Sequence, residues 1–376
     1  MASILYLVRT PLDGQDNLHA KFMGQMAAMR RLGHRVEYLA WNREGLWLCG
    51  EEEPRLVRPA HGSHLPGYSH YLLYKDLMAA LRGLDKNYDL IYMRYMPVFA
   101  GAPAALRACK RRGAKIVVEH HTFPFRYARS SAAWMQPFFW YNDRVFDRLA
   151  PLIDLHAVMG DPPGENLFGK PVISITNGVD VDSLPLHQGL KEPADMHLLA
   201  LASMSCWQGY DRLIRAMAAY SGPERVVLHL AGSEGDGSLA QWLELAKELK
   251  LGDRVIYEGE LHGEKLNALV EQCDVGVGSL AIYKRRIRNA ITIKLREYMA
   301  RGLPFLYTEE KTDVPWDEAF SLQFPNDDSP IDLTRVVAFI HRVRADETIS
   351  QRMRAHAARH MSWDPIVQRV LERVGL

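Results

Sequence analysis

The sequence predicts an α/β fold of two doubly wound domains, each a parallel sheet with helices on both faces. Short apolar runs alternate with amphipathic segments of helical period along most of the 376 residues, a pattern typical of strand–helix–strand units. The alternation stops between about residues 181 and 195, where prolines and charges accumulate, and then begins again. We therefore expect domains at residues 1–180 and 181–360, with residues 361–376 forming a helix that packs on the first domain.

The first half opens with a strand, because residues 4–8 form a short apolar run that ends in a polar loop, residues 10–18. A helix follows, in which apolar side chains recur at spacings of three and four residues: Phe22, Met26, Met29 and Leu32. Gly33 ends this helix, and residues 35–41 alternate as a second strand. Further strands are expected at residues 89–93, 115–119 and 171–176, with a basic helix around residues 107–112.

The second half repeats the alternation with greater regularity. Strands are expected at residues 197–202, 226–231, 254–258, 274–280 and 305–308. Helices are expected at residues 210–220, 238–250, 263–273 and 292–301, and again at residues 332–344, 349–359 and 364–374. Ligands of doubly wound domains bind at the carboxyl ends of the strands, so candidate site residues are sought there.

The bulk composition excludes several classes of function. Lys plus Arg number 46 and Asp plus Glu 45, so the overall charge indicates no nucleic-acid partner. Four cysteines lie far apart without the spacing of a disulfide framework or a zinc site, which suits a reducing cytoplasm. The amino terminus has the pattern of a strand and not of a signal peptide, and no apolar run is long enough to span a membrane. We expect a cytoplasmic protein.

Four stretches of the second half, in a fixed order, carry a resemblance to a known family. They are residues 177–180, 201–213, 228–237 with 254–259, and 294–304. Together they resemble the nucleotide-binding domain of the retaining "group 1" glycosyltransferases of the GT-B fold, which make bacterial polysaccharides and glycolipids. The resemblance implies two Rossmann-like domains facing a cleft. It also implies transfer of a sugar from a UDP- or GDP-sugar donor to a saccharide or lipid-linked acceptor.

The helix expected from residue 292 is the candidate site for the donor diphosphate. A helix amino terminus offers unpaired N–H groups and a positive dipole end, which suit the charge that grows on the leaving diphosphate. Thr292 is a candidate N-cap, the amides near Ile293 can face the phosphates, and Lys294 adds a full positive charge. Glu297 matches the family's carboxylate that binds the ribose hydroxyls; the alternative is a helix-surface pair with Arg301.

The chain departs from the family pattern at three positions. The family's second carboxylate, eight residues before Glu297, is Asn289 here, an amide that can form hydrogen bonds but carries no charge. The family's Arg and Lys in the loop that opens the second domain align with Ser203 and Gln208. A basic cluster before Asn289 is a candidate replacement for the two missing cations, with a solvated basic loop as the alternative; its members are Lys284, Arg285, Arg286 and Arg288.

Glycines at two strand ends are the candidates for the neighbourhood of the nucleotide base. In the family the base packs near the strand end that corresponds to residues 258–261, so Gly259 is assigned there and Gly232 to the neighbouring strand end. Gly235 and Gly237 follow, and ordinary turn geometry explains them better than a ligand does.

In the first domain, the strand at residues 115–119 runs into two histidines. The family places a histidine that contacts the donor sugar at this strand end, and by alignment His121 is the candidate, with His120 second. A structural role for both is the alternative. The loop at residues 13–17 occupies the place of the family's glycine-rich loop but keeps only Gly14.

Residues 134–141 form the most unusual stretch, rich in Trp, Phe and Tyr, with Arg126, Arg129, Arg144 and Arg148 around it. Aromatic rings with a basic rim suit a peripheral contact with anionic lipid through residues 126–148, at the inner face of the cell membrane. The alternative is a helix packed in the core of the first domain.

The resemblance implies that the second domain binds the donor and the first domain the acceptor, with retention of configuration and without a metal ion or other cofactor. The one Asp-x-Asp of the chain, Asp180 to Asp182, overlaps the turn at residues 177–180 that carries the resemblance, and no other metal-ligand spacing is present. A catalytically impaired homologue that acts as a binding subunit is the main alternative, because Asn289, Ser203 and Gln208 depart from the pattern. A sugar-nucleotide epimerase or phosphorylase is a second alternative. A Rossmann dehydrogenase is disfavoured, since no G-x-G-x-x-G follows the first strand.

Overall fold

The computed structural model describes residues 1–14, 17–60, 68–96, 101–121, 136–160, 162, 164–189, 194–285, 292–310 and 316–376, without the side chains of residues 17 and 68–72. The chain divides into two compact units. Unit 1 consists of Met1–Thr176 together with Trp363–Leu376, and unit 2 consists of Asn177–Ser362. The divisions expected from the sequence are after residues 180 and 360.

Unit 1 is built on a sheet that has nine strands within the described residues. The strands are β1 (Ser3–Pro11), β2 (Arg35–Trp41), β3 (Gly45–Cys49), β4 (Arg55–Pro59), β5 (Leu90–Arg94), β6 (Lys115–His120), β7 (Leu155–Met159), β8 (Asn166–Leu167) and β9 (Lys170–Ile175). Their order is β4-β3-β2-β1-β5-β6-β7-β9-β8. The central strands pair in parallel, whereas β3, β4 and β8 pair antiparallel at the two edges.

Helices cover both faces of this sheet. They are α1 (Asn17–Arg31), α2 (Tyr68–Gly83), α3 (Ala102–Arg111) and α4 (Gln136–Leu149). Successive residues of β1 alternate between two apolar cores: Leu5 and Leu7 pack with α2, α3 and α4, while Ile4 and Tyr6 pack with α1. Because both faces are buried, the central strands are continuous apolar runs, which is why the sequence pattern identifies them.

Unit 2 holds a second, wholly parallel sheet of six strands in the order β12-β11-β10-β13-β14-β15, again counted over the part of the chain that is described. The strands are β10 (Met196–Leu201), β11 (Val226–Ala231), β12 (Val255–Gly259), β13 (Val275–Val277), β14 (Phe305–Tyr307) and β15 (Ser321–Gln323). The helices are α5 (Tyr210–Ala219), α6 (Ser238–Glu248), α7 (Gly263–Glu271), α8 (Ile293–Arg301), α9 (Leu333–Arg344) and α10 (Ile349–His360). The expected two-domain α/β architecture of parallel sheets is confirmed.

The last helix, α11 (Trp363–Arg373), belongs to unit 1 although unit 2 precedes it in the chain. Its apolar face, which includes Trp363, Val367 and Val370, lies in the same core as α1. Arg31 of α1 also makes a bidentate ion pair with Asp364, with the shortest distance 2.6 Å. The expected return of the carboxyl-terminal helix to the first domain is thus confirmed.

Several elements of unit 1 have no counterpart in the sequence prediction: β3, β4, β7, β8 and α2. The strand β4, at the edge of the sheet, has no fully buried residue, so its side chains do not show the apolar run of a central strand. The strand β7 is buried, but its apolar run is interrupted by His156, which has a hydrogen-bonded partner inside the core. Such partners depend on the fold and are not visible in a local pattern.

Among the described residues, no helix has both the length and the hydropathy needed to cross a lipid bilayer.

Candidate functional site

The amino end of α8 has the backbone geometry of a helix start without a side-chain cap. Thr292 occupies the N-cap position with φ −79° and ψ 136°. Its hydroxyl does not bond to the first turn but lies 3.5 Å from Oε1 of Glu309. Because the first N–H groups of a helix have no intrahelical partner, the amides of the turn that begins with Ile293 are suited to an anion.

Lys294 lies in the first turn of α8, and its ammonium group is held by neutral partners. Nζ is 2.6 Å from Oε1 of Gln208 and 3.2 Å from the hydroxyl of Tyr210. It also lies over the rings of Trp207 and Tyr210, at 5.9 and 5.7 Å from their centres. Burial lowers the pKa of Lys294 to about 7, against an opposing effect of the Glu309 charge. An anion bound beside Nζ would therefore favour the protonated form.

Gln208 connects three segments of unit 2 at this point. Besides accepting from Lys294, its Oε1 accepts a 3.0 Å hydrogen bond from the hydroxyl of Ser279, and its Nε2 donates to the main-chain oxygen of Ser203. The following residue, Gly209, has φ +65°, and a Cβ there would lie 2.5 Å from that of Ala281. The structure thus brings Ser203, Gln208 and Lys294 together at the carboxyl ends of the strands.

Glu309, just beyond β14, is a component of this site that the sequence analysis does not include. Its side chain is fully buried, Oε2 accepts from the amide of Thr308, and Oε1 lies near the Thr292 hydroxyl. Burial raises the pKa of Glu309, while hydrogen bonds and Lys294 oppose the rise. The signal that could have identified it is a charged residue directly after a buried strand, where ligands of doubly wound domains bind.

Glu297 forms the helix pair that the sequence allows as its alternative role. Oε1 of Glu297 lies 3.2 Å from both Nε and Nη2 of Arg301, and Nη1 of Arg301 donates to Asn267. The pair is not on a solvated face, since the side chains of Arg301 and Glu297 are 5% and 14% exposed. Within the described residues, Oε2 of Glu297 has no hydrogen-bond donor, so the pair leaves one carboxylate oxygen for a ligand.

The two glycines assigned to the base meet at adjacent strand ends. The amide of Gly232 donates a 2.8 Å hydrogen bond to the main-chain oxygen of Gly259. Gly232 has φ +135°, and a Cβ there would lie 1.9 Å from the main-chain oxygen of Ala202, so only glycine fits. Close packing of backbone therefore explains Gly232 without a ligand, while the space around Gly259 is open.

The basic cluster is only partly within the described residues. Arg286, Arg288 and Asn289 lie outside them. Arg285 ends a 3-10 turn, and its guanidinium carbon lies 5.0 Å from the centre of the Trp207 ring. Since Lys294 approaches the same ring, Trp207 is in contact with two cations near the start of α8.

In unit 1 the two histidines at the end of β6 differ in surroundings. His120 is fully buried, and its Nε2 lies 2.8 Å from Nδ1 of His156 on β7. Burial, together with His156, lowers the pKa of His120 to about 3. His121 is partly exposed, and burial, with help from Arg94, lowers its pKa to about 4. Of the two, His121 is the one that a ligand can reach.

Beside His121 lies a buried polar network that the sequence analysis does not include. Glu119 is fully buried and accepts from Lys21 at 3.0 Å, from Gln25 at 2.7 Å and from the hydroxyl of Tyr92 at 2.9 Å. Burial raises the pKa of Glu119, but the charges of Lys21 and Arg94 outweigh it and bring the pKa to about 2. The sequence signal that could have identified Glu119 is an apolar strand that ends in an acidic residue.

The helix α4 contains the described part of the aromatic stretch. Its inner face is buried through Val145, Phe146 and Leu149. On its outer face Trp140 is 62% and Tyr141 38% exposed, and the guanidinium of Arg144 lies 5.1 Å from the Trp140 ring centre. One face of the helix packs in the core, and the other presents aromatic rings and Arg to solvent; the membrane contact stays a prediction. Arg126, Arg129 and Trp134 lie outside the described residues.

Within the described residues, no group of three or more His, Cys, Asp and Glu side chains is arranged to hold a metal ion.

Comparisons with known proteins agree with this geometry. A family model described as "Glycosyl transferase 4-like domain" matches residues 19–162, and one described as "Glycosyl transferases group 1" matches residues 195–338. The second range contains α8 and the residues around Lys294. No curated protein matches the chain significantly in sequence.

Solved structures match over the whole chain. The sucrose-phosphate synthase of Thermosynechococcus elongatus has a TM-score of 0.65 at 16% identity, covering 99% of this chain and 98% of its own. A glycosyltransferase of Rickettsia africae has a TM-score of 0.65 at 14% identity, covering 99% and 97%. HepE of Anabaena, in complex with UDP and glucose, has a TM-score of 0.60 at 17% identity, covering 100% and 99%. On the two family models and this fold, the chain belongs to the group 1 glycosyltransferases of the GT-B type.

Proposed function

We propose that the protein transfers a sugar from a UDP- or GDP-sugar to a saccharide or lipid-linked acceptor, with retention of configuration and without a metal ion. The observation that carries the proposal is the amino end of α8, where the first turn has no side-chain cap and contains Lys294, whose ammonium group is held by Gln208 and Tyr210. Both stabilise a diphosphate as its negative charge grows during bond cleavage. A structural relative, HepE, was crystallised with UDP and glucose, which supports a nucleotide-sugar donor.

Lys294 supplies a positive charge that Ser203 and Gln208 lack at the positions where the family has Arg and Lys. In the family, a lysine is expected where this chain has Gln208, and here Nζ of Lys294 lies 2.6 Å from Oε1 of that glutamine. A cation carried by α8 thus reaches the place of the loop cation, and we propose that it binds the diphosphate in its stead. Arg285, held over Trp207, is the proposed source of the second charge.

The other assignments complete the proposed donor site. Oε2 of Glu297 binds a ribose hydroxyl while Oε1 stays paired with Arg301, Gly259 lies near the base, and Asn289 bonds to the donor sugar. In unit 1, His121 contacts the transferred sugar. The departing phosphate oxygen accepts the proton of the acceptor hydroxyl, so the reaction needs no protein nucleophile.

Substitution of Glu297 tests the donor site directly. Glu297→Gln removes the charged acceptor for the ribose, so we expect nucleoside diphosphate affinity to fall about tenfold, since a hydrogen bond to a charged group contributes roughly 1.5–3 kcal/mol. Calorimetric titration with UDP and GDP measures it. The matched control is Glu244→Gln, whose carboxylate pairs with Lys247 on an exposed helix face. Unchanged affinity in Glu297→Gln would refute the ribose assignment.

A binding subunit without catalytic activity is the competing function, because Asn289 cannot carry a negative charge. The two proposals differ in turnover and not in donor binding. A panel of nucleotide sugars, assayed for slow hydrolysis that releases nucleoside diphosphate, separates them. Binding of UDP or GDP with no release from any sugar of the panel would favour the binding subunit.

We further propose that the outer face of α4 makes the peripheral membrane contact. Exposed Trp140 and Tyr141 lie on the same helix as Arg144 and Arg148, which are also exposed. Aromatic rings settle among lipid headgroups and arginines attract anionic lipid.

Vesicle flotation tests this contact. With vesicles of phosphatidylglycerol and phosphatidylcholine, we expect the wild type to float and the double variant Trp140→Ser, Tyr141→Ser to remain in solution. The control is Leu56→Ser, which removes from β4 an apolar side chain about as exposed as that of Tyr141. A wild type that does not float on anionic vesicles would contradict the proposal.

A further inference from the structure

Arg94, the last residue of β5, is a cation without a matching anion. Its Nη1 atom is buried and has no hydrogen-bond partner among the described residues. Its guanidinium carbon lies 4.9 Å from the centre of the Phe22 ring, which is a favourable but apolar contact. Buried guanidinium groups are normally hydrogen-bonded or paired, because an unmade bond there costs free energy.

The nearest carboxylate is already engaged. Arg94 lies directly opposite Glu119 in the parallel register of β5 and β6, so both side chains project from the same face of the sheet. Glu119, however, forms its ion pair with Lys21 and receives further hydrogen bonds from Gln25 and Tyr92. One negative and two positive charges therefore share this corner of unit 1, and one positive charge is left over.

His121 adds an unused polar group at the same place. It follows Glu119 by two residues, so it belongs to the same face of the sheet. Its Nδ1 is buried and has no hydrogen-bond partner in the described structure. The charge of Arg94 lowers the pKa of His121, as does burial, so the ring is neutral near pH 7 and has one N–H to donate. Arg94 and His121 are both partly exposed as residues, while their Nη1 and Nδ1 atoms are buried.

We infer that Arg94 and the Nδ1 edge of His121 bind an oxyanion, a phosphate or a carboxylate, carried by the acceptor, while Nε2 of His121 accepts from a hydroxyl of the transferred sugar. The inference rests on the proposed function in one respect, which is that unit 1 takes the acceptor while the donor diphosphate is bound at α8. The planar guanidinium fork matches both oxyanions, and the imidazole N–H completes the set of donors. An anionic acceptor, such as a phosphorylated or uronic saccharide, supplies the missing countercharge.

The test measures anion binding by the full chain in the absence of donor. Inorganic phosphate and glucuronate, at millimolar concentration, are the two probes, and thermal unfolding and calorimetric titration are the readouts. We expect at least one probe to raise the unfolding temperature of the wild type and of Lys294→Met, in which the cation at α8 is removed. A response to phosphate alone or to glucuronate alone identifies the acceptor group, and a response to both supports a general oxyanion site.

Variants of Arg94 test whether phosphate and glucuronate bind at Arg94. Arg94→Met is expected to lose at least about tenfold in probe affinity, and it is expected to fold without anion, because Glu119 keeps its ion pair with Lys21. The matched control is Arg107→Met, which removes an exposed arginine from α3 of the same unit. If Arg94→Met does not fold, Arg94→Lys is tested in its place. This variant keeps the positive charge but loses the planar guanidinium group, so it is expected to bind the probes more weakly than the wild type.

Two outcomes would overturn the inference: no response of the wild type to either probe, or an equal response in the Arg94 variant. Titration with UDP and GDP keeps this test separate from that of the donor site. Arg94→Met is expected to bind the nucleotides as the wild type does. A wild type that binds no nucleotide refutes the donor proposal, whatever the result at Arg94.

Discussion

Lys294 shows how a single residue is prepared for an anionic ligand. Its described partners are an amide, a hydroxyl and two aromatic rings, so none of the described groups in contact with Nζ carries a negative charge. The nearby carboxyl group of Glu309 is fully buried, and burial raises its pKa. The positive charge is therefore costly in the free protein and is stabilised when a diphosphate arrives.

The titration of Lys294 predicts the pH dependence of donor binding. Its pKa of about 7 in the free protein is raised by a bound diphosphate, so nucleoside diphosphate affinity should decrease as the pH rises above 7. Calorimetric titrations with UDP between pH 7 and pH 9 measure the slope. Lys294→Met should bind more weakly at pH 7 and show little further loss at pH 9. The same slope in both proteins would mean that another group is responsible.

At the scale of elements, the contact between β6 and β7 depends on two histidines that are neutral in the fold. His120 and His156 are in hydrogen-bond contact, and burial is the main cause that lowers their pKa values to about 3 and about 4. In the unfolded chain both titrate near their ordinary value of about 6.5. At a pH between the folded and the unfolded pKa values of these histidines, the unfolded chain binds more protons than the folded chain.

This pair predicts acid sensitivity of the fold. Its contribution to stability is complete above about pH 6.5 and is lost as the pH falls towards 3, because each ring must be protonated on unfolding. His156→Gln, which retains a hydrogen-bonding group, should show a smaller fall of the unfolding temperature between pH 6.5 and pH 4.5 than the wild type. His262→Gln, at an exposed site, is the control and should follow the wild type. If the unfolding temperature of His156→Gln fell with pH as steeply as that of the wild type, the His120–His156 pair would be excluded as the cause of the acid sensitivity.

For the whole molecule, α11 completes unit 1 from the far end of the chain. Trp363 is 1% exposed and is among the largest fully buried side chains. It lies in the core with Tyr6, Phe22 and Tyr92, and its ring lies 5.6 Å from the ammonium group of Lys21. The stability of unit 1 therefore depends on residues that are synthesised after all of unit 2.

Truncation of this side chain tests that dependence. Trp363→Ala should lower the free energy of unfolding by about 3–5 kcal/mol, the usual cost of removing a buried aromatic side chain. The matched control, Trp140→Ala, removes a tryptophan that is 62% exposed and should change stability little. Denaturant unfolding measured separately on the two variants gives the comparison. Equal losses would mean that α11 adds little to the core of unit 1.

The donor site could be predicted from the sequence only where its residues are close together in the chain. Thr292, Lys294 and Glu297 belong to one helix, so their spacing alone places them on neighbouring turns. Glu309 and Trp207 were not predicted as site residues, since their approach to Lys294 is made by loops from other strands. In unit 1, Arg94 was not predicted for the same reason, since only the register of β5 and β6 places it opposite Glu119.

The sequence by itself determined the two α/β domains, most of their central strands and helices and the family, because periodicity and short motifs are local properties of the chain. Only the tertiary structure decided which partners the charged groups have: that Gln208 holds Lys294, that Glu119 is matched by Lys21, and that Nη1 of Arg94 has no hydrogen-bond partner in the described part of the chain. The physical reason is that the energy of a buried charge depends on groups within a few ångströms. Residues far apart in the chain provide those groups, and folding alone brings them together.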